Sequence, residues 1–246
     1  MKRFIDISCV FRIQLISMRA EVGPFLLAAL VFPAAMYLFA NAVGGAGAAQ
    51  DGIRLRFLTG SIVFSLSLTS ISWLGYLLLE NRFTGRLKLF ATLPLAPSSY
   101  IAGMLTFAFV QAALSTASLI ILGRAIGIPL LPSILLLVPA VMLTVFCLCG
   151  FGVIIAALAR SFTQGSMLTD ALGAGLVFLA PIYYTPESVP QHLRIVSQWL
   201  PTTLAARAIG AALAGSPGSG RELIVLGLMA VTTLTFGLRL TVWRQV

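Results

Sequence analysis

The stretch ENRFTGRLKLFATLPLAP, residues 80–97, decides how this chain is interpreted. It lies between two long runs that contain no charged residue, 57–79 and 98–122. It combines four charged residues, a face of leucine and phenylalanine, and two prolines. Nothing else inside the chain has this composition. The pattern predicts a charged connection at which a membrane-embedded body meets something soluble.

Composition places the whole chain in a membrane. It has 246 residues, of which 59% are hydrophobic and 9% charged, and its mean hydropathy is +1.02. A soluble domain carries roughly 25% charged residues. The apolar runs are far longer than the ten-residue alternating strands of a barrel, so we predict an all-α membrane protein. The net charge of +9 then indicates cytoplasmic loops and contact with anionic lipid rather than binding of nucleic acid.

Six apolar stretches are long enough to cross a bilayer, which takes about 20 residues of helix. They are residues 22–43, 57–79, 98–122, 130–159, 165–184 and 223–243, within a single transmembrane domain, 1–246. An even number of spans puts both termini on one side. Ten of the 16 Lys and Arg residues fall on that side, against six on the other, which favours cytoplasmic termini and a cytoplasmic segment 80–97.

The amino-terminal residues 1–20 have the pattern of an amphipathic helix. Their large apolar residues recur at spacings of 3, 4, 4 and 3, which is one face of a helix: Phe4, Ile7, Phe11, Leu15 and Met18. We predict a helix that lies on the cytoplasmic membrane surface. The alternative is a soluble lead-in helix.

Residues 186–214, between the fifth and sixth predicted spans, are apolar for an external loop. Val189, Leu193 and Val196 recur at helical spacing, and prolines punctuate the segment. We predict two short helices, broken at Leu200 and Pro201, that dip back into the outer leaflet. Such re-entrant structure is tolerated where protein or a hydrated cavity buries it.

The chain carries few groups for chemistry of its own. It has no glycine-rich phosphate-binding motif and a single histidine, His192, so we expect no catalytic residues, no metal site and no bound cofactor. Asp170 is the one acid inside a predicted span. A carboxylate at membrane depth is a candidate functional group. Asp170 is also predicted to lie only about five residues from the start of its helix, near the headgroups. A structural role there is the alternative to a role in substrate binding or gating.

Two segments resemble the ABC-2 type transporter permeases. Residues 80–103 resemble the loop after the second span of that family. The matching positions are Glu80, Arg82, Gly85, Leu87, Leu89, Thr92, Pro94, Pro97 and Gly103. Residues 181–207, PIYYTPESVPQHLRIVSQWLPTTLAAR, are similar to the proline-punctuated outer segment before the last span of the family. Six spans with cytoplasmic termini agree with the same resemblance.

The resemblance implies an exporter in a bacterial inner membrane. Two permease chains, identical or different, would each bind a separate ATPase subunit that carries ATP and Mg²⁺. It implies ATPase-coupling residues Glu80, Arg82, Gly85, Arg86, Lys88, Thr92 and Pro94. It implies substrate-path residues Phe64, Trp73, Asp170 and Phe178. It implies outer-gate residues Pro181, Tyr183, Tyr184, Pro186, Pro190 and Pro201.

One position departs from the family pattern. The family often has an acid three residues after the glycine, where this chain has Lys88, and Arg86 precedes it. Either the partner ATPase presents acidic residues at this surface, or the chain is the less typical half of a heterodimer.

The substrate and two other classes of function stay open on the sequence. The apolar route favours an amphipathic drug, antibiotic or lipid-like substrate, with a polysaccharide or lipo-oligosaccharide as the alternative. A membrane-embedded lipid or glycan enzyme would need Asp170, Glu187 and His192 to converge. A membrane scaffold without transport is the third hypothesis.

Overall fold

A computed structural model describes residues 2–20, 22–44, 51–92, 96–184, 190–216 and 219–241, and in these ranges all regular structure is helical. The α-helices are α1 (Lys2–Ala20), α2 (Val22–Leu26), α3 (Phe32–Gly44), α4 (Asp51–Ser67), α5 (Leu74–Phe83), α6 (Arg86–Thr92), α7 (Pro97–Ala125), α8 (Ile134–Leu158), α9 (Phe162–Phe178), α10 (Gln191–Gln198), α11 (Pro201–Leu213) and α12 (Gly220–Leu240). Two π-helical turns, Leu27–Val31 and Leu68–Trp73, join α2 to α3 and α4 to α5.

Four helices are long and apolar enough to cross a membrane. They are Asp51–Phe83, Ser98–Ala125, Ile134–Leu158 and Gly220–Leu240. The prediction of an all-α membrane protein is confirmed at this level. The other two predicted spans coincide with shorter helices: the apolar segment Ala29–Gly44 and the 17-residue α9.

Several helices begin or end at residues other than the limits of the predicted spans. The helix that contains the second predicted span, 57–79, begins at Asp51, and an acid in a first turn interacts favourably with the amino-terminal helix dipole. The fifth begins at Phe162, after Ser161, whose hydroxyl accepts from the backbone N–H of Gln164 at 3.2 Å. It ends at Phe178 rather than at 184, because Pro181 lacks the N–H that a longer helix would need.

The helices run back and forth between two ends of one bundle. At the end that we call the α6 end, Arg82 lies against Ala159 after α8, and Val10 of α1 packs where Gly103 leaves room on α7. At the other, the α10 end, the backbone N–H of Leu131 donates to the carbonyl of Leu213 at 3.1 Å. Connections that are distant in sequence therefore meet at each end.

Small residues bring α5, α8 and α9 almost into backbone contact. A Cβ atom on Gly75 would lie 2.6 Å from Cγ2 of Thr169, and one on Gly152 would lie 3.1 Å from the carbonyl oxygen of Ile71. Packing of this kind is typical of helices in membranes, where close backbone approach replaces the hydrophobic driving force. The contact fixes the height of α9 against α5.

The predicted pair of outer helices is present as α10 and α11, with the break at Leu200. Proline at the first position of α11 suits a helix start, because its missing N–H would have had no partner there. One side of α11 is fully buried against α4, α8 and α12, through Ala205, Ala208, Ile209, Ala212 and Leu213. This helix is thus part of the core.

The predicted amino-terminal helix is present as α1, and it packs on α7. Val10 and Gln14 are buried among its described side chains, and Phe11 lies 6.2 Å from Phe107 between ring centroids. Leu15, on the predicted apolar face, is exposed in the bundle. The side chains of Phe4 and Met18 lie outside the described set. The packed side is therefore rotated from the predicted apolar face.

Candidate functional site

The charged segment begins with a helix stop and a turn. The backbone N–H and the hydroxyl of Thr84 both donate to the carbonyl oxygen of Glu80, at 2.9 and 2.6 Å, and close the last turn of α5. Gly85 follows with a φ of +78°, a backbone conformation that L side chains rarely adopt. The chain then turns into α6, a seven-residue helix at the end of the bundle.

Arg82 is turned into the protein. Its Nη1 donates to three carbonyl oxygens at the carboxyl end of α8, those of Ala156, Ala157 and Ala159, at 2.6, 3.0 and 3.1 Å. These carbonyls include the ones that a helix end leaves without a partner, and a cation is favourable there. Arg82 therefore ties the end of α5 to the connection between α8 and α9.

The other charges of the segment face outward. Glu80 and Arg86 form an ion pair of 3.3 Å, with side chains that are 37% and 56% exposed. Lys88 and Thr92 are exposed on α6. Pro94 lies outside the described residues. Among the predicted coupling residues, Arg86, Lys88 and Thr92 are thus placed where another protein could reach them.

A cavity of about 900 Å³ opens beside this segment. Its walls come from both π-helical turns, α3, α5, α7 and α9. Along the long helix Asp51–Phe83 it extends from Leu68 to Glu80, about 18 Å at the α-helical rise per residue. Pockets of this size hold drug-sized ligands. The described lining is Leu27, Val31, Phe32, Ala35, Leu68, Thr69, Ser72, Trp73, Tyr76, Leu77, Glu80, Gln111 and Asp170.

Asp170 lies in this wall at the middle of α9. It is eight residues after Phe162, roughly 12 Å into the helix, so the predicted position near a helix start is wrong. The neighbouring Thr169 packs on Gly75, and the hydroxyl of Ser67 donates to the carbonyl of Gly173 at 3.2 Å. These contacts set the position of Asp170 along α5.

Two polar groups in the cavity wall are buried without a partner in the described part of the chain. Gln111 is 2% exposed, and neither its amide nitrogen nor its amide oxygen has a hydrogen-bond partner. The indole N–H of Trp73 is also buried and has no hydrogen-bond partner among the described residues. Buried polar groups are normally paired, because leaving one unpaired costs about 1–3 kcal/mol.

The four predicted path residues divide into two groups. Trp73 and Asp170 share the cavity. Phe64 is buried and stacks on Phe32, with ring centroids 5.7 Å apart, so it supports the wall from behind. Phe178 is 66% exposed and lines a separate cavity of about 240 Å³ together with Tyr184 and Pro190.

The predicted gate residues gather at the α10 end. Tyr183 packs on Gly60, where an added Cβ would lie 2.9 Å from its ring. The hydroxyl of Tyr184 donates to the carbonyl of Phe178 at 2.9 Å. Pro181 lines a small cavity with α4 and α11, and Pro201 is buried. Pro186 lies outside the described residues.

Sequence reasoning did not name most of the cavity wall, including three of its polar residues. Thr69 and Ser72 lie on the second predicted span near Trp73, and Gln111 lies on the third. Gln111 did leave a signal, because it is the one amide side chain in the uncharged run 98–122. Neither π-helical turn was predicted from the sequence.

The family model of the ABC-2 type transporter matches residues 9–213, which is most of the chain and includes the charged segment, the cavity and α11. A search by sequence among curated proteins found no match. The helical architecture is that of a multi-pass membrane protein. The chain belongs to the ABC-2 type transporter family, whose members are the membrane components of ABC transporters.

Proposed function

We propose that this chain is the permease subunit of an ATP-driven exporter that moves an amphipathic substrate out of the cytoplasm. The observation that carries the proposal is the link made by Arg82. It joins the end of α5, which lines the cavity, to the end of α8, directly beside the exposed basic helix α6. ATP and Mg²⁺ would bind to a separate ATPase subunit that docks on α6.

The proposed coupling is mechanical. Closure of two ATPase subunits would push α6, and the short turn at Gly85 would pass the movement to α5. Because Arg82 holds the end of α8 and Gly75 holds α9, the three helices would move together as one rigid body. The cavity between α5 and α9 would then change shape with each ATP cycle.

The membrane arrangement that we propose has six spans. Besides the four long helices, the unit from α2 to α3 and the helix α9 would cross, since both run between the two ends of the bundle. The Lys and Arg bias favours the α6 end and both termini in the cytoplasm of a bacterial cell. In this arrangement α1 would rest on the cytoplasmic membrane surface and α10 would lie in the outer leaflet.

The proposed assembly has two permease chains, identical or different, and two ATPase subunits. The open side of the cavity would face the second permease chain, and the residues gathered at the α10 end would form the exit gate. Arg86 and Lys88 make the docking surface basic. We therefore expect acidic residues on the ATPase, as charge complementarity across the interface requires.

Two alternatives are less well supported. A membrane enzyme would need Asp170 and His192 together, but Asp170 lies in the cavity wall and His192 is exposed on α10; Glu187 lies outside the described residues. A glycan exporter would need a path rich in hydrogen-bonding groups. The cavity wall is mainly apolar, and the hydroxyl of its Thr69 already donates to the carbonyl of Ser65 at 3.0 Å.

Purification from the membranes of its own host tests the proposal. The tagged chain should bring down an ATP-hydrolysing subunit in equal amount. Reversing Arg86 and Lys88 together to Glu should remove that subunit, because both exposed charges would repel its acidic surface.

The matched control is the double variant Arg124→Glu with Arg221→Glu. Both arginines are exposed, and they lie at the α10 end, Arg124 in the last turn of α7 and Arg221 in the first turn of α12. This variant should keep the ATPase subunit. Recovery of a wild-type chain that hydrolyses no ATP and holds no ATPase subunit would overturn the proposal.

A further inference from the structure

We infer that the cavity between the two π-helical turns, α5, α7 and α9 binds a lipophilic organic cation. This deepens the proposed function, on which it rests, by naming the charge class of the substrate. Three observations on the cavity carry it: the sign of the charges in its wall, its apolar and aromatic surface, and a buried amide without a partner.

The charges in the described wall are all negative. Glu80 and Asp170 are both lining residues, and no lysine or arginine is among the described lining residues. Glu80 is partly neutralised by Arg86 at 3.3 Å, but no ion pair to Asp170 exists within the described residues. Asp170 is exposed in the single chain, and an unpaired carboxylate beside an apolar surface attracts a cation and disfavours an anion.

The rest of the wall suits an apolar ligand. Leucine, valine and phenylalanine side chains alternate with the rings of Trp73 and Tyr76. A cation over such rings gains a further electrostatic attraction to their faces. Tyr76 is held edge-on against Phe162, with ring centroids 4.9 Å apart, so its ring is already oriented before a ligand binds.

Gln111 supplies the independent sign that this cavity receives a ligand. Its side chain is 2% exposed, it lines the cavity, and both its amide atoms lack partners in the described structure. The indole N–H of Trp73 lacks one as well. These atoms are buried as well as unpaired, so a ligand with one or two hydrogen-bonding groups beside its charge would satisfy them once the two side chains turn toward it.

Binding to the purified full chain in a non-ionic detergent tests the inference without any ATPase. Tetraphenylphosphonium and tetraphenylborate have the same shape and opposite charge, so their affinity ratio isolates the charge preference of the site. Wild type should bind the phosphonium at least about tenfold more tightly than the borate. Asp170→Asn should remove about tenfold of the phosphonium affinity and leave the borate affinity equal or higher.

Asp51→Asn is the matched control. It removes the same charge from an exposed acid at the far end of the same long helix as Glu80, outside the cavity. Phosphonium affinity should not change in this variant. If Asp51→Asn and Asp170→Asn lost the same amount of phosphonium affinity, the loss would come from the change in net charge of the protein, and the inference would be overturned.

Gln111→Leu separates hydrogen bonding from charge. Rhodamine 6G is a lipophilic cation with N–H and ester groups, and its affinity should fall about two- to tenfold in this variant. Tetraphenylphosphonium has no hydrogen-bonding group, so its affinity should be unchanged, which also shows that the variant is folded.

Equal binding of the two tetraphenyl ions by wild type would overturn the inference. Such a result would leave the proposed function standing if the ATPase subunit still co-purifies. Loss of the ATPase subunit with cation binding intact would overturn the proposed function alone.

Discussion

Arg82 shows how one side chain can carry a mechanical connection. Its guanidinium reaches three carbonyl oxygens on a helix more than seventy positions later in the chain. The bonds are charge-assisted, and because one –NH2 group has two hydrogens the three acceptors share them; a single such bond stabilises by about 1.5–3 kcal/mol. The nearby Arg86 makes only an exposed ion pair with Glu80. The two arginines are therefore expected to have different roles.

Replacing Arg82 by Ala should destabilise the protein much more than replacing Arg86 by Ala. The first change leaves carbonyls at the end of α8 without a donor and should cost about 2 kcal/mol or more. The second removes an exposed pair and should cost less than about 1 kcal/mol. Thermal unfolding of the two purified variants measures the difference. Equal unfolding temperatures would show that the Arg82 contacts do not hold α8.

The sequence reveals which residues are charged but not which of them turn inward. Arg82 and Arg86 were both predicted as coupling residues, since the segment offers no local cue to separate them. The partners of Arg82 are brought near only by tertiary packing. Gln111 was missed for a similar reason, because its role depends on a cavity formed by several helices.

At the scale of the elements, α5 and α9 depend on a glycine at their crossing. Gly75 accommodates Thr169, and this contact places Asp170 in the cavity wall. Gly175, one turn after Asp170 on α9, has no atom within 4 Å of an added Cβ. Replacing each of these two glycines by alanine therefore compares a crowded position with an open one.

Gly75→Ala should destabilise the bundle and disturb the cavity, because its Cβ would lie 2.6 Å from Thr169 Cγ2. The expected cost is about 1–3 kcal/mol, as for other overpacked cores. Gly175→Ala should be neutral or slightly stabilising, since alanine is the better helix former by about 1 kcal/mol. Thermal unfolding together with phosphonium binding reports both effects. A Gly75→Ala protein with wild-type stability and affinity would contradict the crossing geometry.

The pattern of apolar runs predicted where helices lie better than where they end. The third span was predicted as 98–122 and its helix extends over Ser98–Ala125, since Pro97 starts it and no proline lies inside. The fifth ended earlier than predicted, because hydropathy continues through Pro181 while the helix does not. The π-helical turns were not predicted, since a one-residue widening leaves the apolar composition unchanged.

At the scale of the whole molecule, the cavity and the charged segment share one helix. Glu80 lines the cavity and also forms an ion pair with Arg86 of α6. A single residue therefore connects the exposed surface of α6 with the cavity wall. We propose that a push on α6 changes the shape of the cavity. This coupling depends on the packing of α5 against α8 and α9 and on a partner that binds α6.

Trp73 provides the most direct test of that claim, because it lies in the cavity wall. The chain, labelled with 5-fluorotryptophan and carrying Phe at its two other tryptophans, is assembled with its ATPase subunit and studied by fluorine NMR. Adding ATP should shift the Trp73 resonance in this protein and in the Arg124→Glu, Arg221→Glu control, but not after reversal of Arg86 and Lys88 to Glu. An ATP-dependent shift that survives that reversal would contradict coupling through α6.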